Sequence, residues 1–235
     1  MTQTNKSTIT LSVIIPTLNE EKNISKIISE ITYFLEEIKY EIIIVDDHSN
    51  DRTVEIIKSF LGNYPVKIIT RKERDLSTAV VTGINNTRGE FIAVIDADLS
   101  HPAALLPKML DLLKKNGNDL IVASRKVEGG SVEQWPLKRK AISYIATLLA
   151  RPITSIKDPM SGYFMFEKSK IKNSLNPIGY KILLEIITKC NFRNIVEIPY
   201  TFKNREVGKS KLNIRQYINY LRHISRLYAF KLTKK

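Results

Sequence analysis

The stretch YEIIIVDDHS, residues 40–49, decides the fold that we predict for this chain. Four consecutive Ile or Val residues, 42–45, precede two aspartates, a pattern typical of a strand buried on both faces of a parallel sheet. A strand with one solvated face would alternate apolar and polar side chains instead. The stretch therefore indicates an α/β protein, and in such proteins ligands bind beyond the carboxyl ends of the strands.

Four further segments have the composition of strands in the same sheet, at 10–16, 66–70, 90–96 and 119–124. Helical patterns separate them: apolar residues recur at helical spacing over 24–38, and Glu20 and Glu21 suit the first turn of that helix. Pro102 fits the first position of a later helix. This alternation predicts a mainly parallel open sheet flanked by helices, with right-handed crossovers.

After Ser124 the alternation ends and the pattern changes. A loop is predicted at 128–134, and strand-like segments are predicted at 163–166 and 195–202. Helices are predicted at 136–150, 177–189 and 213–231. No internal repeat or linker divides the chain, so we expect one domain over residues 1–235 that ends in amphipathic helices.

The net charge of +13 is concentrated near the C-terminus. Residues 201–235 contain ten Lys or Arg and one Glu, which leaves them with nine of the thirteen net positive charges. Such a bias fits nucleic acid, anionic lipid or a phosphorylated substrate as partner. A single cysteine, Cys190, excludes an internal disulfide and fits a reducing compartment. We see no secretory signal, and no apolar run approaches the roughly 18–20 residues of a membrane span.

Carboxylates follow three of the predicted strands, at Glu20, at Asp46 and Asp47, and at Asp96 and Asp98. Residues i and i+2 of an extended chain point to the same side, which brings the last two carboxylates together. Two adjacent carboxylates repel unless a cation lies between them, and Mg²⁺ or Mn²⁺ combines one or two carboxylates with water and substrate phosphates. An acidic turn has the same pattern, but the position after a buried strand favours a metal–diphosphate site.

Several other sites are not supported by the sequence. No glycine-rich phosphate loop follows the first strand, which argues against a dinucleotide enzyme or a P-loop ATPase. No nucleophile-elbow motif supports Ser-His-Asp chemistry. The three histidines, His48, His101 and His223, are far apart in sequence, and we interpret them as bystanders.

Short motifs along the chain resemble, in order, those of the family-2 glycosyltransferases of GT-A fold. They occur at 16–20, 45–49, 96–102, 124–125, 133–136, 157–164, 176–181 and 208–212. More narrowly, the chain is similar to the subgroup of dolichol-phosphate (polyprenol-phosphate) mannose synthases, over roughly residues 11–228. Each motif is short, whereas their order and spacing together are specific.

This resemblance implies an inverting, metal-dependent transfer of mannose from GDP-mannose to a polyprenyl (dolichyl) phosphate. Residues 8–125 would form a nucleotide-binding α/β half, and residues 126–235 an acceptor-binding and membrane-facing part. The protein would be cytoplasmic and peripheral on the cytoplasmic face of the membrane. A separate membrane subunit is a possible partner, nucleic acid is not expected as one, and the oligomeric state stays open.

The resemblance also implies roles for individual residues. The nucleoside pocket would be lined by Pro16, Leu18, Glu20, Val45 and Asp47. Ribose, diphosphate and metal would be met by Asp96, Ala97 and Asp98, and the metal, Mg²⁺ or Mn²⁺, would be held by Asp98 and Ser100. Phosphate would be gripped by Arg125, Lys181, Arg205 and Lys211. The residues expected to act in catalysis are Asp98, Arg125, Arg205 and Lys211.

Four positions depart from the usual motifs of this family. Leu18 stands where a tyrosine is usual, and His48 stands where Gly or Asp is common. Asp75 stands where a glycine is often found, so no function is carried over to residues 71–79. Ser100 is Gln in some relatives, and either side chain supplies an oxygen ligand. These departures affect the prediction of nucleotide and sugar more than that of the reaction.

Two basic amphipathic helices are predicted to lie in an anionic lipid interface. The first carries an apolar stripe of Ala141, Tyr144, Ile145, Leu148 and Leu149 beside Lys138, Arg139 and Lys140. The second carries a stripe of Ile214, Tyr217, Ile218, Leu221, Ile224 and Tyr228 beside Arg215, Arg222 and Arg226. A helix that packs on a core with a solvated basic edge has the same sequence pattern.

Three alternative functions remain at this stage. One is a polyprenyl-phosphate glucosyltransferase or a related transferase that uses a UDP-sugar. Another is a nucleic-acid binder driven by the basic C-terminal residues, although no nucleic-acid-binding motif is recognisable. The third is a degenerate glycosyltransferase that only binds nucleotide, which the departures at Leu18 and His48 keep open.

Overall fold

A seven-stranded sheet forms the centre of the protein in a computed structural model that describes residues 9–115, 117–133, 135–203 and 214–233. Its strands are β1 Leu11–Thr17, β2 Tyr40–Asp46, β3 Val66–Thr70, β4 Phe91–Val94, β5 Leu120–Ser124, β7 Phe164–Glu167 and β8 Ile195–Pro199. A small separate sheet pairs β6 Ser131–Val132 with β9 Thr201–Phe202. The helices are α1 Ile24–Phe34, α2 Thr53–Phe60, α3 Leu76–Asn85, α4 Leu105–Lys115, α5 Leu137–Ala150, α6 Ile182–Lys189 and α7 Ile214–Thr233, and a 3₁₀ turn covers Lys168–Lys170.

The strands lie in the order β3-β2-β1-β4-β7-β5-β8. All neighbours are parallel except β7, which runs antiparallel between β4 and β5. The mainly parallel sheet flanked by helices is therefore confirmed. Strands β1 and β5 are buried along their whole length, which is why their sequences are mostly apolar rather than alternating.

Helices cover both faces of the sheet because successive strand residues point in opposite directions. In β1, Val13 and Ile15 pack into one apolar core with α1 and α4, whereas Ile14 packs into another with α3 and α6. The two cores hold the strands from both sides, which leaves the polar strand ends as the place where side chains can meet a ligand.

Some predicted helix boundaries were wrong. Helix α1 begins at Ile24, and the carbonyl of Glu20 accepts the N–H groups of Asn23 and Ile24, so Glu20 and Glu21 lie in the preceding turn. Likewise, Pro102 lies in a turn before α4, where its carbonyl accepts the N–H of Leu105.

Helix α6 begins at Ile182, five residues after the predicted start at 177. Gly179 has φ +84°, a conformation outside the helical region, so the helix cannot extend back through it. The extended segment predicted at 195–202 is two strands, because β8 pairs with β5 and β9 pairs with β6.

Helices α5, α6 and α7 pack together beside the sheet. Leu184, Tyr220, Ile224 and Leu227 belong to a third apolar core, and the Tyr220 hydroxyl donates to the Ala146 carbonyl at 2.6 Å. Within the described residues, no helix is both long and apolar enough to cross a bilayer. The two predicted parts of the chain share one sheet, since β7 and β8 come from residues 126–235.

Candidate active site

The carboxyl ends of β1, β2 and β4 open into a cavity of about 540 Å³. Helices α5, α6 and α7 contribute the other walls, so residues from both parts of the chain meet there. The sequence-predicted residues that line it are Pro16, Leu18, Glu20, Asp47, Asp96, Ala97, Asp98, Arg125 and Lys181.

Two predicted site residues, Val45 and Ser100, do not line the cavity. Val45 is fully buried and packs with Ile43 and Ala79, so its side chain lies in the core. Ser100 is buried behind Asp98. Arg205 and Lys211 lie outside the residues that the structure describes, so their roles stay predictions.

Asp98 is held by the chain that follows it. Its side chain is buried, and its Oδ1 accepts hydrogen bonds from the amide of Ser100 at 3.1 Å and from the Ser100 hydroxyl at 2.5 Å. Leu99 between them has φ +60°, the left-handed conformation that bulky residues rarely adopt. This turn folds Ser100 back onto the carboxylate, which fixes its direction at the strand end.

Asp96 occupies a different environment, in contact with His101. The Asp96 amide donates to His101 Nδ1 at 3.3 Å, and Asp96 Oδ2 lies 3.8 Å from the same nitrogen. His101 is buried, with its ring 5.2 Å from that of Tyr163 between centroids. Burial lowers the pKa of His101 to about 4, so the imidazole is neutral at pH 7 and Nδ1 accepts. His101, interpreted from sequence as a bystander, thus supports the strand end that carries Asp96.

Gly162 provides the space for the Asp96 carboxylate. A Cβ atom at this glycine would lie 3.1 Å from Asp96 Oδ2 and 3.3 Å from Oδ1. A side chain there would crowd the carboxylate, so glycine at this position leaves Asp96 its place at the end of β4.

The loops after β1 and β2 form one wall through mutual hydrogen bonds. The Asn19 amide donates to Ser49 Oγ, and the Asn50 amide donates to Asn19 Oδ1, both at 2.8 Å. Asn19 and His48 have φ +56° and +63°, which accounts for the preference for Gly or Asp at the position of His48. The wall is therefore built by tight turns rather than by secondary structure.

Asp47 is ion-paired within this wall. Its Oδ1 lies 2.8 Å from Nε and 2.7 Å from Nη2 of Arg71, and its Oδ2 accepts from the amide of Asp75 at 3.0 Å. Burial raises the pKa of Asp47, and the Arg71 guanidinium opposes that rise. Arg71 was missed from sequence, where its only signal is its position directly after β3.

Arg125 lies on the cavity wall and forms a bidentate ion pair with Asp158. Its Nε and Nη2 donate to the two carboxylate oxygens, each at 2.7 Å, and its guanidinium carbon lies 5.2 Å from the Trp135 ring centroid. Asp158 is buried, and the amides of Lys157 and Asp158 itself donate to Glu197. The resemblance implies phosphate binding for Arg125; two of its guanidinium nitrogens pair with Asp158, while Nη1 donates to no described residue.

Lys181 caps the start of α6 and also lines the cavity. Its Nζ donates to the Met160 carbonyl at 3.0 Å and lies 4.6 Å from the Tyr180 ring centroid. Burial lowers the pKa of Lys181 to about 8, and the charge of Arg125 adds to this effect. The ammonium therefore remains mostly charged at pH 7 and sits among groups that a phosphate would bind.

Arg139 is a cavity residue that sequence reasoning placed elsewhere. It was grouped with Lys138 and Lys140 at the membrane, but its guanidinium carbon lies 4.0 Å from the Trp135 ring centroid and it lines the cavity. The signal was available: Arg139, Ile142, Ser143 and Ala146 recur at helical spacing, and all four line the cavity.

The opposite side of α5 is apolar and exposed. Tyr144, Ile145 and Leu148 are 63%, 56% and 48% exposed, and Ala141 and Leu149 are exposed beside them. The stripe predicted on α7 is divided: Ile224 is buried in the core, Tyr217 lines the cavity, and Ile218 and Leu221 are exposed. The side chain of Ile214 lies outside the described residues.

The sequence of this chain is similar to one protein family and to several named proteins. Residues 12–175 match the family described as glycosyl transferase family 2. A protein of Pyrococcus furiosus named dolichol-phosphate mannosyltransferase is 46% identical over 92% of this chain, and the chain spans 63% of its length. Proteins of the same name from Mycosarcoma maydis and Saccharomyces cerevisiae are 37% and 36% identical, over 96% and 95% of this chain and 81% and 88% of theirs.

Solved structures with the same fold are more distant in sequence. Glucosyl-3-phosphoglycerate synthase from Mycobacterium tuberculosis, solved with Mn²⁺ and UDP, matches with a TM-score of 0.68 at 19% identity, over 95% of this chain and 80% of its own. Mannosyl-3-phosphoglycerate synthase from Rubrobacter xylanophilus matches with a TM-score of 0.70 at 19% identity, over 93% and 73%. At these identities the likeness establishes the fold alone.

Proposed function

Because this chain belongs to glycosyl transferase family 2, we propose that it transfers mannose from GDP-mannose to a polyprenyl (dolichyl) phosphate, with inversion at the sugar carbon. The three relatives named dolichol-phosphate mannosyltransferase, at 36–46% identity, support the sugar and the acceptor. The solved structures do not bear on the donor nucleotide, since their likeness concerns the fold.

One observation carries this proposal: a single cavity brings strand-end carboxylates together with partly buried cations. Asp96 and Asp98 lie at the end of β4, and Arg125, Arg139 and Lys181 line the same space. A nucleotide sugar and a phosphate acceptor bring several negative charges into one site. Such a reaction needs fixed cations for those charges and oxygen ligands for a metal.

The residues present fit a divalent metal that is completed by substrate. Among the described residues, no group of three or more His, Cys, Asp or Glu side chains is arranged to hold a metal by itself. Asp98 lines the cavity and offers a carboxylate oxygen whose direction Ser100 fixes, and Mg²⁺ or Mn²⁺ commonly takes one or two carboxylates with water and phosphates. When bound, the metal would neutralise charge that develops on the departing nucleoside diphosphate.

The remaining chemistry requires little from the protein beyond binding and orientation. A phosphate monoester is already anionic at neutral pH, so its oxygen attacks the sugar carbon without a protein base. The bond from that carbon to the nucleoside diphosphate breaks as the new bond forms on the opposite face. Lys181 and Arg125 reduce the repulsion between the two anions, and Asp158 holds the Arg125 fork in place.

Donor choice is tested by direct comparison. We expect purified protein with Mn²⁺ and dolichyl phosphate to release GDP from GDP-mannose and to form a mannosylated lipid. UDP-glucose should give little product under the same conditions. A reversed preference would support the alternative, a polyprenyl-phosphate glucosyltransferase, and would retain the reaction class.

We also propose that the protein is peripheral on the cytoplasmic face of the membrane. The exposed stripe of α5 supports this position, because Tyr144, Ile145 and Leu148 lie next to the exposed Lys140 on the helix whose other face lines the cavity. Such an arrangement would place the cavity close to a lipid-bound phosphate. Flotation with vesicles that contain anionic lipid tests this proposal, and protein left in the dense fraction would refute it.

A further inference from the structure

Asp75 connects two segments of the cavity wall that are far apart in sequence. It is the N-cap residue of α3, where its Oδ1 accepts the amide of Thr78 at 3.0 Å. Its Oδ2 accepts the amide of Gly179 at 3.0 Å, a contact across 104 positions of the chain. One carboxylate thus uses one oxygen for the helix and the other for a distant turn.

The Gly179 turn is held between two helices. Its carbonyl accepts the amide of Ser77 at 3.1 Å, so the turn is bonded to α3 in both directions. On its other side, a Cβ atom at Gly179 would lie 3.2 Å from Cβ of Asn219 on α7. The next two residues, Tyr180 and Lys181, line the cavity. The position of Lys181 therefore depends on how this turn is fixed to α3.

The backbone of the same residue joins the hydrogen-bond network at the end of β2. The Asp75 amide donates to Asp47, and the Asp75 carbonyl accepts from Nη2 of Arg71 at 2.9 Å. Arg71 in turn is ion-paired with Asp47. A continuous chain of hydrogen bonds therefore runs from the wall after β2, through Asp75, to the turn that leads to Lys181.

We propose that Asp75 is a positioning residue. Through its bond to Gly179, it fixes the position of Lys181 relative to the wall formed by the loops after β1 and β2. The inference rests on the proposed function in one respect, namely that Lys181 offsets phosphate charge during transfer. Asp75 acts through the turn and not on the reacting atoms. Its removal should therefore alter turnover only as far as Lys181 contributes to it.

Asp75→Asn is the variant that isolates this bond. Asparagine is as good an N-cap as aspartate, so its oxygen can keep the bond to Thr78 while its amide group replaces the acceptor that faces Gly179. We expect kcat for mannose transfer to dolichyl phosphate to fall about tenfold, because a displaced Lys181 would offset less phosphate charge during transfer. The melting temperature should stay close to that of the wild type, because the cap is retained. Asp111→Asn on α4, an exposed aspartate paired with Lys115, is the charge-matched control and should have wild-type kcat.

A double-mutant cycle with Lys181→Ala separates positioning from a general structural role. In the Lys181→Ala background, Asp75→Asn should change kcat by less than about twofold, because coupled residues are not additive. A full tenfold loss in that background would overturn the proposal, because Asp75 would then act independently of Lys181.

Hydrogen exchange provides a readout that does not depend on the reaction. The Gly179 amide is bonded to Asp75, so a peptide covering 178–182 should exchange faster in Asp75→Asn than in the wild type or in Asp111→Asn. Unchanged exchange would overturn the proposal even if transfer is observed. If the wild type transfers no mannose, the proposed function fails, and faster exchange at 178–182 would still support the positioning of the turn by Asp75.

Discussion

Asp96 and Asp98 are two residues apart, yet they differ in burial and in hydrogen bonding. Asp98 is 4% exposed and fixed by Ser100, whereas the Asp96 side chain is 28% exposed above Gly162. A buried carboxylate is stable as an anion only near a positive charge or strong donors. We therefore regard Asp98 as the metal ligand and Asp96 as the group that faces the nucleotide.

Asp98→Asn should lower kcat by about 10² to 10³, the range typical for loss of a group that stabilises developing charge. Asparagine retains the size of the side chain and an oxygen for Ser100, so the melting temperature should change little. Steady-state transfer with saturating Mn²⁺ measures the effect. Wild-type turnover in this variant would exclude the mechanism proposed above.

The lowered pKa of Lys181 predicts that activity falls as the pH rises. Burial lowers the pKa of Lys181 to about 8, so the ammonium loses its proton as the pH rises through 8 rather than near 10. Because kcat/KM reports groups of the free enzyme, it should fall above about pH 8. In Lys181→Arg, the guanidinium stays charged and the fall should move to higher pH. If kcat/KM fell at the same pH in the wild type and in Lys181→Arg, the fall would not be caused by deprotonation of Lys181.

Residues at the strand ends were predictable because buried strands tolerate charge only where they end. Sequence reasoning found Asp47, Asp96 and Asp98 on this basis. Arg71 and His101 were missed because each acquires its position through residues distant in the chain, such as Asp47, 24 positions from Arg71, and Tyr163 beside His101. Arg139 is different, because its helical spacing with cavity residues of α5 is visible in the sequence.

At the scale of the element, α5 has two functional faces. Arg139 and Ser143 turn towards the cavity, and Tyr144, Ile145 and Leu148 turn towards solvent. A helix that only packed on the core would bury its apolar stripe, but here the apolar stripe is the exposed one. Helix α7 differs, because Ile224 and Leu227 are buried and only part of its predicted stripe is exposed.

The double variant Ile145→Ser/Leu148→Ser should weaken vesicle binding by about tenfold or more, since each side chain loses roughly 1.5–3 kcal/mol of possible burial. Flotation or sedimentation with anionic vesicles measures this change. Turnover with a short-chain, water-soluble acceptor should be unaffected. Tyr33→Ser on α1, an apolar residue that is 68% exposed, is the matched control and should bind like the wild type.

The start of α6 shows the limit of prediction for elements. The residues from 177 to 189 have a helical pattern, yet Gly179 adopts a left-handed conformation and the helix starts at Ile182. The reason is tertiary, since the turn is bonded to Asp75 and packs against α7. A single sequence contains no information about that distant partner.

At the scale of the whole molecule, a buried charge cluster joins α6 to α7. Glu185 is fully buried, and it accepts from Lys189 at 2.7 Å, from His223 at 2.9 Å and from the amide of Asn176 at 2.7 Å. Burial alone would raise its pKa, but these three donors together lower the pKa of Glu185 to about 2. Glu185 is therefore ionised in the folded protein.

The cluster around Glu185 predicts that the folded protein becomes less stable in acid. The pKa of Glu185 is lowered from 4.5 to about 2, so the stabilisation is complete above pH 4.5 and is lost as the pH falls towards 2. It amounts to about 3 kcal/mol of unfolding free energy, to order of magnitude. Urea unfolding of Glu185→Gln should show a deficit at pH 7 that shrinks below pH 4.5. The exposed Glu36→Gln serves as control, and a pH-independent deficit would contradict the prediction.

The parallel direction of most strands follows from local pattern, but the place and direction of β7 do not. The apolar runs of β1, β2 and β5 identify them as buried parallel strands, and the helices between them supply the crossovers. Strand β7 has a similar apolar sequence and yet inserts antiparallel between β4 and β5. Its direction depends on the path of the chain from 125 to 163, and the periodicity of α5 within that segment does not fix where the next strand enters the sheet.

That insertion has a consequence for biosynthesis. Strands β4 and β5 leave the ribosome before β7, which later pairs with both of them, so their facing edges are unpaired in the nascent chain. Unpaired edges of apolar strands are sites of aggregation. A fragment released near residue 125 should therefore be insoluble or bound by chaperones, and the centre of the sheet closes only after Glu167 has been translated.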